Sequence, residues 1–253
     1  MKLQTIVSGH GPDLVLLHGW AAHGGVWRTA AAGLESYFRV HRVDLPGHGA
    51  SDMCPLFTLD RMVAVLSAAL PERATVCGWS LGALLALRWA ALVPWQVERL
   101  ILIAATPCFV RRADWEHGMA AVLFDDFACD LAADPSAALQ HFIALQAHGD
   151  AAERVIVREL RKCYEEAPPQ PPALAAGLQL LSATDLRHQL AAVQQSALVL
   201  HGGRDAITPP AAGAWLAHTL PVARLAVIPT AAHAPFISDP SAFALQVVEF
   251  CDE

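Results

Sequence analysis

The chain has 253 residues, of which 55% are hydrophobic and 16% charged, and its formal net charge is −7. This composition favours a folded domain with a sizeable core over a disordered chain. The negative charge argues against a protein built to bind nucleic acid or an acidic membrane surface. No stretch of about 20 uninterrupted apolar residues predicts a membrane-spanning helix, and the amino-terminal segment lacks the features of a signal peptide.

The cysteines and histidines show no metal-binding spacing. The six cysteines are scattered along the chain without a C-x-x-C pair, which predicts reduced thiols in a cytoplasmic protein. The histidines show no H-E-x-x-H pattern. We therefore expect an enzyme or binding protein that uses no metal and no cofactor.

Short apolar segments alternate with helical patterns along most of the chain. Strands are predicted at 14–18, 38–43, 75–79, 100–104, 197–201 and 224–228. Helices are predicted at 59–70, 81–92, 211–220 and 241–250. Several strands are almost continuously apolar, which is typical of strands covered on both faces. The pattern predicts an α/β fold with a mostly parallel central sheet and helices on both faces.

The alternation stops between residues 107 and 184. Only helical patterns follow there, at 115–131, 136–148, 151–167 and 174–181. We expect residues 107–184 to form a helical lid, or cap, inserted into an α/β core made of residues 1–106 and 185–253.

The segment Gly78-Trp79-Ser80-Leu81-Gly82 fits the pattern G-x-S-x-G. It lies between a predicted buried strand and a predicted helix, which is the context that a nucleophilic serine on a sharp turn requires. The two glycines avoid collisions at such a turn. Leu81 opens the helix, so its backbone N–H lacks an intrahelical acceptor and can stabilise an oxyanion.

A nucleophilic serine needs a base and an acid, which follow it along the chain in folds of this type. His233 lies on a loop after the last predicted strand, whereas His218 lies inside a helical pattern. Asp205 lies on a glycine-rich turn after the strand predicted at 197–201. We predict that Ser80, Asp205 and His233 form a catalytic triad.

The turn "LLHGW" after the first predicted strand offers a second oxyanion donor, the backbone N–H of Trp20. Two readings of the neighbouring aromatic residues stay open. Trp20 and Trp79 are either ordinary core residues or walls of a substrate pocket beside the serine.

The helix predicted at 151–167 has two distinct faces. Its apolar residues form one stripe: Ile156, Leu160, Cys163, Tyr164 and Ala167. Its basic residues share another face: Arg154, Arg158, Arg161 and Lys162. On an acidic protein such a basic face predicts docking of an acidic partner. The alternative is an ordinary solvated face, which the nearby Glu165 favours.

Several stretches carry a resemblance to a known family: "LVLLHGW", "VDLPGHGAS", "GWSLGALLA", "ATPCF", "HFIALQ", "LQLLSATDLR" and "AAHAPFISDP". Over its whole length the chain resembles the α/β-hydrolases. More narrowly, "ATPCF", "HFIALQ" and the tryptophan before the serine resemble the methyl ester esterases that act on pimeloyl-acyl carrier protein in biotin synthesis.

The resemblance implies hydrolysis of a pimeloyl methyl ester carried on acyl carrier protein, which would dock on the basic face. It also implies the residues that surround the substrate: Trp20, Ser80, Leu81, Phe142, Ile143, Ala144, Leu145, Gln146 and His233. Packing within a lid helix is the alternative reading of Phe142, Ile143 and Leu145. The family also uses basic residues on the preceding helix, where this chain has Ala137 and His141.

Other functions remain open at this point. The same triad would serve a general short-chain carboxylesterase or thioesterase without a protein partner. A ligand receptor built on a hydrolase fold is a third possibility, which an intact triad disfavours. A dehalogenase would need a carboxylate at position 80 and is excluded. We expect a monomer.

Overall fold

Seven strands form one sheet at the centre of the protein, in the order β1-β3-β2-β4-β5-β6-β7. The computed structural model describes residues 1–253. The strands are β1 (Thr5–Gly9), β2 (Asp13–Leu17), β3 (Arg39–Val43), β4 (Ala74–Trp79), β5 (Val97–Ile103), β6 (Ser196–Gly202) and β7 (Ala223–Ile228). Only β1 pairs with its neighbour in antiparallel orientation. The carboxyl ends of the six parallel strands therefore meet at one edge of the sheet.

The central strands are apolar along most of their length because both faces of the sheet are covered. All six residues of β4 are buried. In β2, Leu14 and Leu16 belong to one buried cluster, and Val15 and Leu17 belong to another. Successive side chains of a strand point to opposite faces, so these two clusters are the two layers of the core.

Ten helices surround the sheet. They are α1 (Arg28–Ala32), α2 (Leu59–Ala69), α3 (Leu81–Leu92), α4 (Ala121–Ala133), α5 (Pro135–Ala147), α6 (Glu153–Glu166), α7 (Pro171–Ala183), α8 (Pro210–Thr219), α9 (Pro235–Ser238) and α10 (Pro240–Asp252). Buried residues of α2 and α3 belong to one core layer and those of α1 and α10 to the other. None of the helices combines the length and the apolar character needed to cross a membrane.

Four helices, α4 to α7, lie between β5 and β6, and together they are called the helical insertion below. The helix predicted at 115–131 is wrong at its beginning, since α4 begins at Ala121. The preceding residues form a loop with short bridges, one of them between Arg112 and Trp115. Trp115 is apolar and buried because it packs against Trp215, with ring centroids 4.9 Å apart, and not because it lies on a helix.

Candidate active site

Ser80 lies on the tight turn between β4 and α3, with φ 56° and ψ −112°. This positive φ is unusual for a residue with a side chain. A Cβ atom on Gly78 would lie 2.2 Å from the carbonyl oxygen of Gly82, and one on Gly82 would lie 2.3 Å from the carbonyl oxygen of Leu17. Only glycine fits at these two positions, which explains the spacing of the sequence pattern.

The two predicted oxyanion donors lie at the ends of neighbouring strands. Leu81 is the first residue of α3, and Trp20 follows β2, which pairs with β4. Neither backbone N–H donates to an acceptor within the protein in the loop and cap hydrogen bonds. Both groups are therefore available to a bound carbonyl oxygen, and their role as an oxyanion hole stays a prediction.

Asp205 follows β6 and binds His233 directly. Its Oδ2 accepts hydrogen bonds from His233 Nδ1 at 2.8 Å and from the Thr208 hydroxyl at 2.7 Å. Its Oδ1 accepts the backbone N–H groups of Ile207 and Thr208, both at 2.9 Å. Four donors thus fix the carboxylate, which is 5% exposed.

The charge state of Asp205 sets the tautomer of His233. Burial raises the pKa of Asp205, but the charge of His233, its hydrogen bond and the nearby His201 together lower that pKa well below its usual range. The carboxylate is therefore ionised and accepts a hydrogen bond from the Nδ1–H group of His233, so Nε2 carries the lone pair. This Nε2 atom is buried and has no hydrogen-bond partner, so the structure contains no bond between it and the Ser80 hydroxyl. Its lone pair is free to accept a proton.

Hydrogen bonds connect the turns that carry the three predicted triad residues to the edge of the sheet and to each other's neighbours. The N–H of Ser80 donates to Ile103 at the end of β5, at 2.9 Å. The Thr208 hydroxyl lies 3.1 Å from the carbonyl oxygen of the next residue, Ala104. Trp79, beside the serine, donates from Nε1 to the carbonyl oxygen of His233 at 2.8 Å. The structure thus brings the turns that carry Ser80, Asp205 and His233 together.

The sequence analysis missed two residues that contact Asp205. Thr208 was detectable as part of the turn, because an aspartate side chain often accepts the backbone N–H groups of the residues that follow it. His201 is buried in β6, donates from Nε2 to the carbonyl oxygen of Thr208 at 2.8 Å and lies 3.5 Å from Asp205 Oδ2. No cluster of three or more His, Cys, Asp or Glu side chains has an arrangement that could hold a metal ion.

A cavity of about 490 Å³ opens at Ser80, between the carboxyl edge of the sheet and the helical insertion. Its apolar lining includes Trp20, Phe109, Met119, Phe124, Phe127, Phe142, Leu145, Leu178, Leu181 and Ile207. Its charged and polar members, Arg111, Asp126, Asp130 and His141, are exposed. The interior of the cavity is therefore apolar and its opening is polar, an arrangement that suits an acyl chain with a polar end.

Predicted pocket residues fall into three groups. Trp20, Ser80, Phe142 and Leu145 line the large cavity. Ile143 and Gln146 line a second space of about 20 Å³, which Trp20, Trp79 and Phe142 also border. Ala144 is exposed on α5 and lines neither space. Leu81 is buried next to Ser80 in the chain, and His233 is buried in contact with Asp205.

Trp20 lines both spaces, and its side chain is fixed by a hydrogen bond and by aromatic packing. Its Nε1 donates to the carbonyl oxygen of Leu174 on α7 at 3.0 Å. Its ring packs edge-on against Phe142 and Phe127, with centroid distances of 5.1 and 5.7 Å. Trp20 is thus a cavity wall, whereas Trp79 borders only the smaller space and packs against Phe236 in the core.

The basic face of α6 is exposed, and its apolar stripe is buried at Ile156, Leu160 and Cys163. A surface groove there is lined by four basic residues, Arg154, Arg158, Arg161 and Lys162, and two acidic ones, Glu153 and Glu165. Some of these cations have local partners. Arg158 binds the neighbouring Glu159 at 3.0 Å, and Lys162 lies 3.9 Å from Glu166.

Comparisons with known proteins agree with this fold. Residues 14–246 match the family model described as "Alpha/beta hydrolase family". The chain is 47% identical over 237 residues to the pimeloyl-[acyl-carrier protein] methyl ester esterase of Nitrosomonas europaea, covering 93% of this chain and 94% of that protein. It is 42% identical to the protein of the same name from Chromobacterium violaceum, covering 98% of each.

A solved structure adds evidence for the fold alone. The bromoperoxidase of Bacillus anthracis superimposes with a TM-score of 0.88 at 20% identity, covering 99% of this chain and 95% of that one. The family match spans nearly the whole α/β core together with the helical insertion. From its sequence and its fold, the chain belongs to the alpha/beta hydrolase family.

Proposed function

We propose that this protein is a serine carboxylesterase that hydrolyses the methyl ester of pimeloyl-acyl carrier protein to the free carboxylate and methanol. The observation that carries the proposal is the 47% identity to an esterase of that name over 93% of the chain. The ionised Asp205 bound to His233, beside the strained serine turn, supports the hydrolytic chemistry.

In the proposed reaction, Ser80 Oγ attacks the ester carbonyl carbon while His233 Nε2 takes the hydroxyl proton. The N–H groups of Trp20 and Leu81 stabilise the oxyanion that forms. The tetrahedral intermediate expels methanol, which takes the proton from His233. Water then attacks the acyl-enzyme while His233 Nε2 takes one of its protons. His233 returns that proton to Ser80 Oγ as the acyl–oxygen bond breaks, and the carboxylate is released. Asp205 keeps the imidazole in the required tautomer throughout.

The cavity at Ser80 would hold the acyl chain. Its volume of about 490 Å³ lies within the usual range for small-molecule sites, roughly 300–1,000 Å³. With the methyl ester at Ser80, the apolar lining contacts the methylene groups. The other end of the acyl chain, which is joined to the carrier protein, then extends out of the cavity between the exposed residues at its opening.

Acyl carrier protein would dock on the basic face of α6. Arg154 has no hydrogen-bond or ion-pair partner in the protein, and Arg161 binds only the neutral amide of Gln140, at 3.0 Å. These two guanidinium groups are free to bind carboxylates of an acidic partner. The pairing of Arg158 and Lys162 with glutamates of the same helix favours the second candidate, a general short-chain carboxylesterase or thioesterase without a protein partner.

The test of the catalytic proposal compares wild type with Ser80→Ala on the carrier-bound methyl ester and on a p-nitrophenyl ester. Loss of the nucleophile costs about 10⁶ in turnover in well-studied triads. We expect Ser80→Ala to lose both activities while its circular dichroism spectrum stays unchanged. A variant that keeps a tenth of wild-type activity would exclude Ser80 as the nucleophile.

The test of docking reverses the two unpaired charges, in the double variant Arg154→Glu/Arg161→Glu. We expect kcat/KM for the carrier-bound ester to fall and that for a small free methyl ester to stay unchanged, because the small ester does not reach α6. Arg61→Glu/Arg73→Glu is the matched control, since both residues are exposed on or next to α2, outside the helical insertion. If neither substrate is affected, the general esterase becomes the better assignment.

The state of the cysteines indicates the cellular compartment in which the protein acts. Four of the six are buried, only Cys129 is exposed, and none forms a disulfide. Free thiols suit a reducing compartment, so we propose that the protein acts in the cytoplasm. We also expect it to act as a monomer, which analytical ultracentrifugation would test.

A further inference from the structure

Asp150 is a buried carboxylate outside the candidate active site, on the turn that joins α5 to α6. It is 7% exposed. Its hydrogen-bond donors are all neutral: the backbone N–H of Ala152 at 2.7 Å, the hydroxyl of Ser238 at 2.7 Å and the backbone N–H of Ala232. A buried carboxylate needs well-placed donors to remain charged, and two of these three come from a distant part of the chain.

Those two donors belong to the segment that carries His233. Ala232 directly precedes His233, and Ser238 is the last residue of α9, which follows it. Oδ2 of Asp150 accepts the N–H of Ala232, and Oδ1 accepts the Ser238 hydroxyl. The carboxylate thus joins the helical insertion to both ends of the short segment that holds the proposed base.

The main chain around His233 makes further bonds to the same part of the insertion. The N–H of His233 donates to the carbonyl oxygen of Gln146 at 3.1 Å, and the N–H of Ala151 donates to that of Thr230 at 3.0 Å. Two consecutive N–H groups, those of Ala232 and His233, therefore donate hydrogen bonds to acceptors on the helical insertion. The position of the imidazole depends on the insertion as well as on the sheet.

We propose that Asp150 is a positioning residue for His233, which it acts on through the backbone of Ala232 and the hydroxyl of Ser238, on the two sides of the base. The proposal rests on the catalytic role proposed above for His233. Without the carboxylate, the buried N–H of Ala232 has no acceptor, so the loop must shift to recover one. Such a shift moves Nδ1 away from Asp205 and changes where Nε2 meets the serine.

Asp150→Asn is the appropriate variant because it keeps the size of the side chain. The amide nitrogen cannot accept a hydrogen bond, so at least one of the three donors loses its partner. Asp134→Asn is the matched control. Asp134 caps α5 by accepting the N–H of Ala137 at 3.0 Å, and it lies on the same insertion without a contact to the His233 loop.

Two measurements separate positioning from a merely structural role. For a p-nitrophenyl ester, we expect kcat per folded molecule of Asp150→Asn to fall between about 10-fold and about 100-fold, with KM within about twofold of wild type. We also expect the low-field proton resonance of His233 Nδ1–H to broaden or shift. Asp134→Asn should leave both unchanged. A wild-type kcat, or a lower kcat with an unchanged resonance, would overturn the proposal.

If Asp150→Asn does not fold, Ser238→Ala addresses the same point, because it removes only one of the three donors. For Ser238→Ala we expect a smaller loss of kcat than for Asp150→Asn, with the same kind of change in the His233 Nδ1–H resonance. If kcat and the resonance both stay as in wild type, the proposal is overturned. Neither measurement uses the carrier-bound ester. A wild-type protein that fails on that ester would therefore refute the proposed substrate while leaving the result on Asp150 intact.

Discussion

Replacing Asp205 by asparagine tests the proton transfer by His233, since the two side chains have nearly the same shape. In the wild type, Oδ1 accepts two backbone N–H groups at 2.9 Å and Oδ2 accepts His233 Nδ1–H at 2.8 Å. The NH₂ group of an asparagine cannot accept the two backbone N–H groups. Its oxygen therefore stays there, and its NH₂ group faces His233.

The imidazole must then accept a hydrogen bond at Nδ1, which places its own proton on Nε2. A protonated Nε2 cannot take the proton of Ser80. The same change in another Ser-His-Asp triad lowers kcat about 10⁴-fold, equivalent to about 5.4 kcal/mol of activation free energy. The fold should tolerate it, because the Thr208 hydroxyl can accept from the new amide and donate to Ala104, 3.1 Å away.

The assay is steady-state hydrolysis of a p-nitrophenyl ester, with KM expected to change little. Asp44→Asn is the matched control: Asp44 is also buried, and it accepts the backbone N–H groups of Gly24 at 2.8 Å and Ala50 at 2.9 Å. We expect this control to lower stability and to leave kcat nearly unchanged. Equal losses of kcat in the two variants would show that Asp205 is not the acid of the triad.

Two further predictions concern stability. Gly82→Ala should lower the unfolding free energy by about 1–3 kcal/mol, measured by urea titration, because its Cβ would lie 2.3 Å from the Leu17 carbonyl oxygen; an unchanged midpoint would contradict this. Folding lowers the pKa of Asp205 below its unfolded value of about 3.9. Its stabilising contribution is thus complete above that value and is lost as the pH falls towards the folded pKa. The stability difference between wild type and Asp205→Asn should therefore narrow below about pH 4, and a constant difference would refute this assignment.

β2, β4, β5 and β6 could be predicted because burial on both faces makes them almost continuously apolar. β3 and β7 mix apolar and basic residues and were indicated by the alternation of strand and helix patterns. β1 could not, since Thr5–Gly9 lies at the sheet edge and holds only two apolar side chains among small and polar residues. The start of α4 was misplaced for a related reason. The burial of Trp115 comes from Trp215, a contact between residues far apart in the chain that no local pattern indicates.

The candidate site also contains residues that the sequence could predict and residues that it could not. Ser80, Asp205 and His233 each follow a strand, and the order of strands brings such turns together at one edge. Asp150 acts across a sequence separation of 82 residues from Ala232. Nothing in the residues around it distinguishes it from an ordinary turn aspartate, so only the three-dimensional arrangement could identify it.

The distribution of thiols has a practical consequence for following motion in solution. Burial raises the pKa of Cys77, and it raises that of Cys163 to about 12, so these thiols should react slowly with alkylating reagents. Cys129 is exposed on α4, the helix that also contributes Phe127 to the cavity wall. The unmodified chain therefore offers a preferred attachment point for an environment-sensitive fluorophore, which would report whether the surroundings of α4 change as ligands enter the cavity.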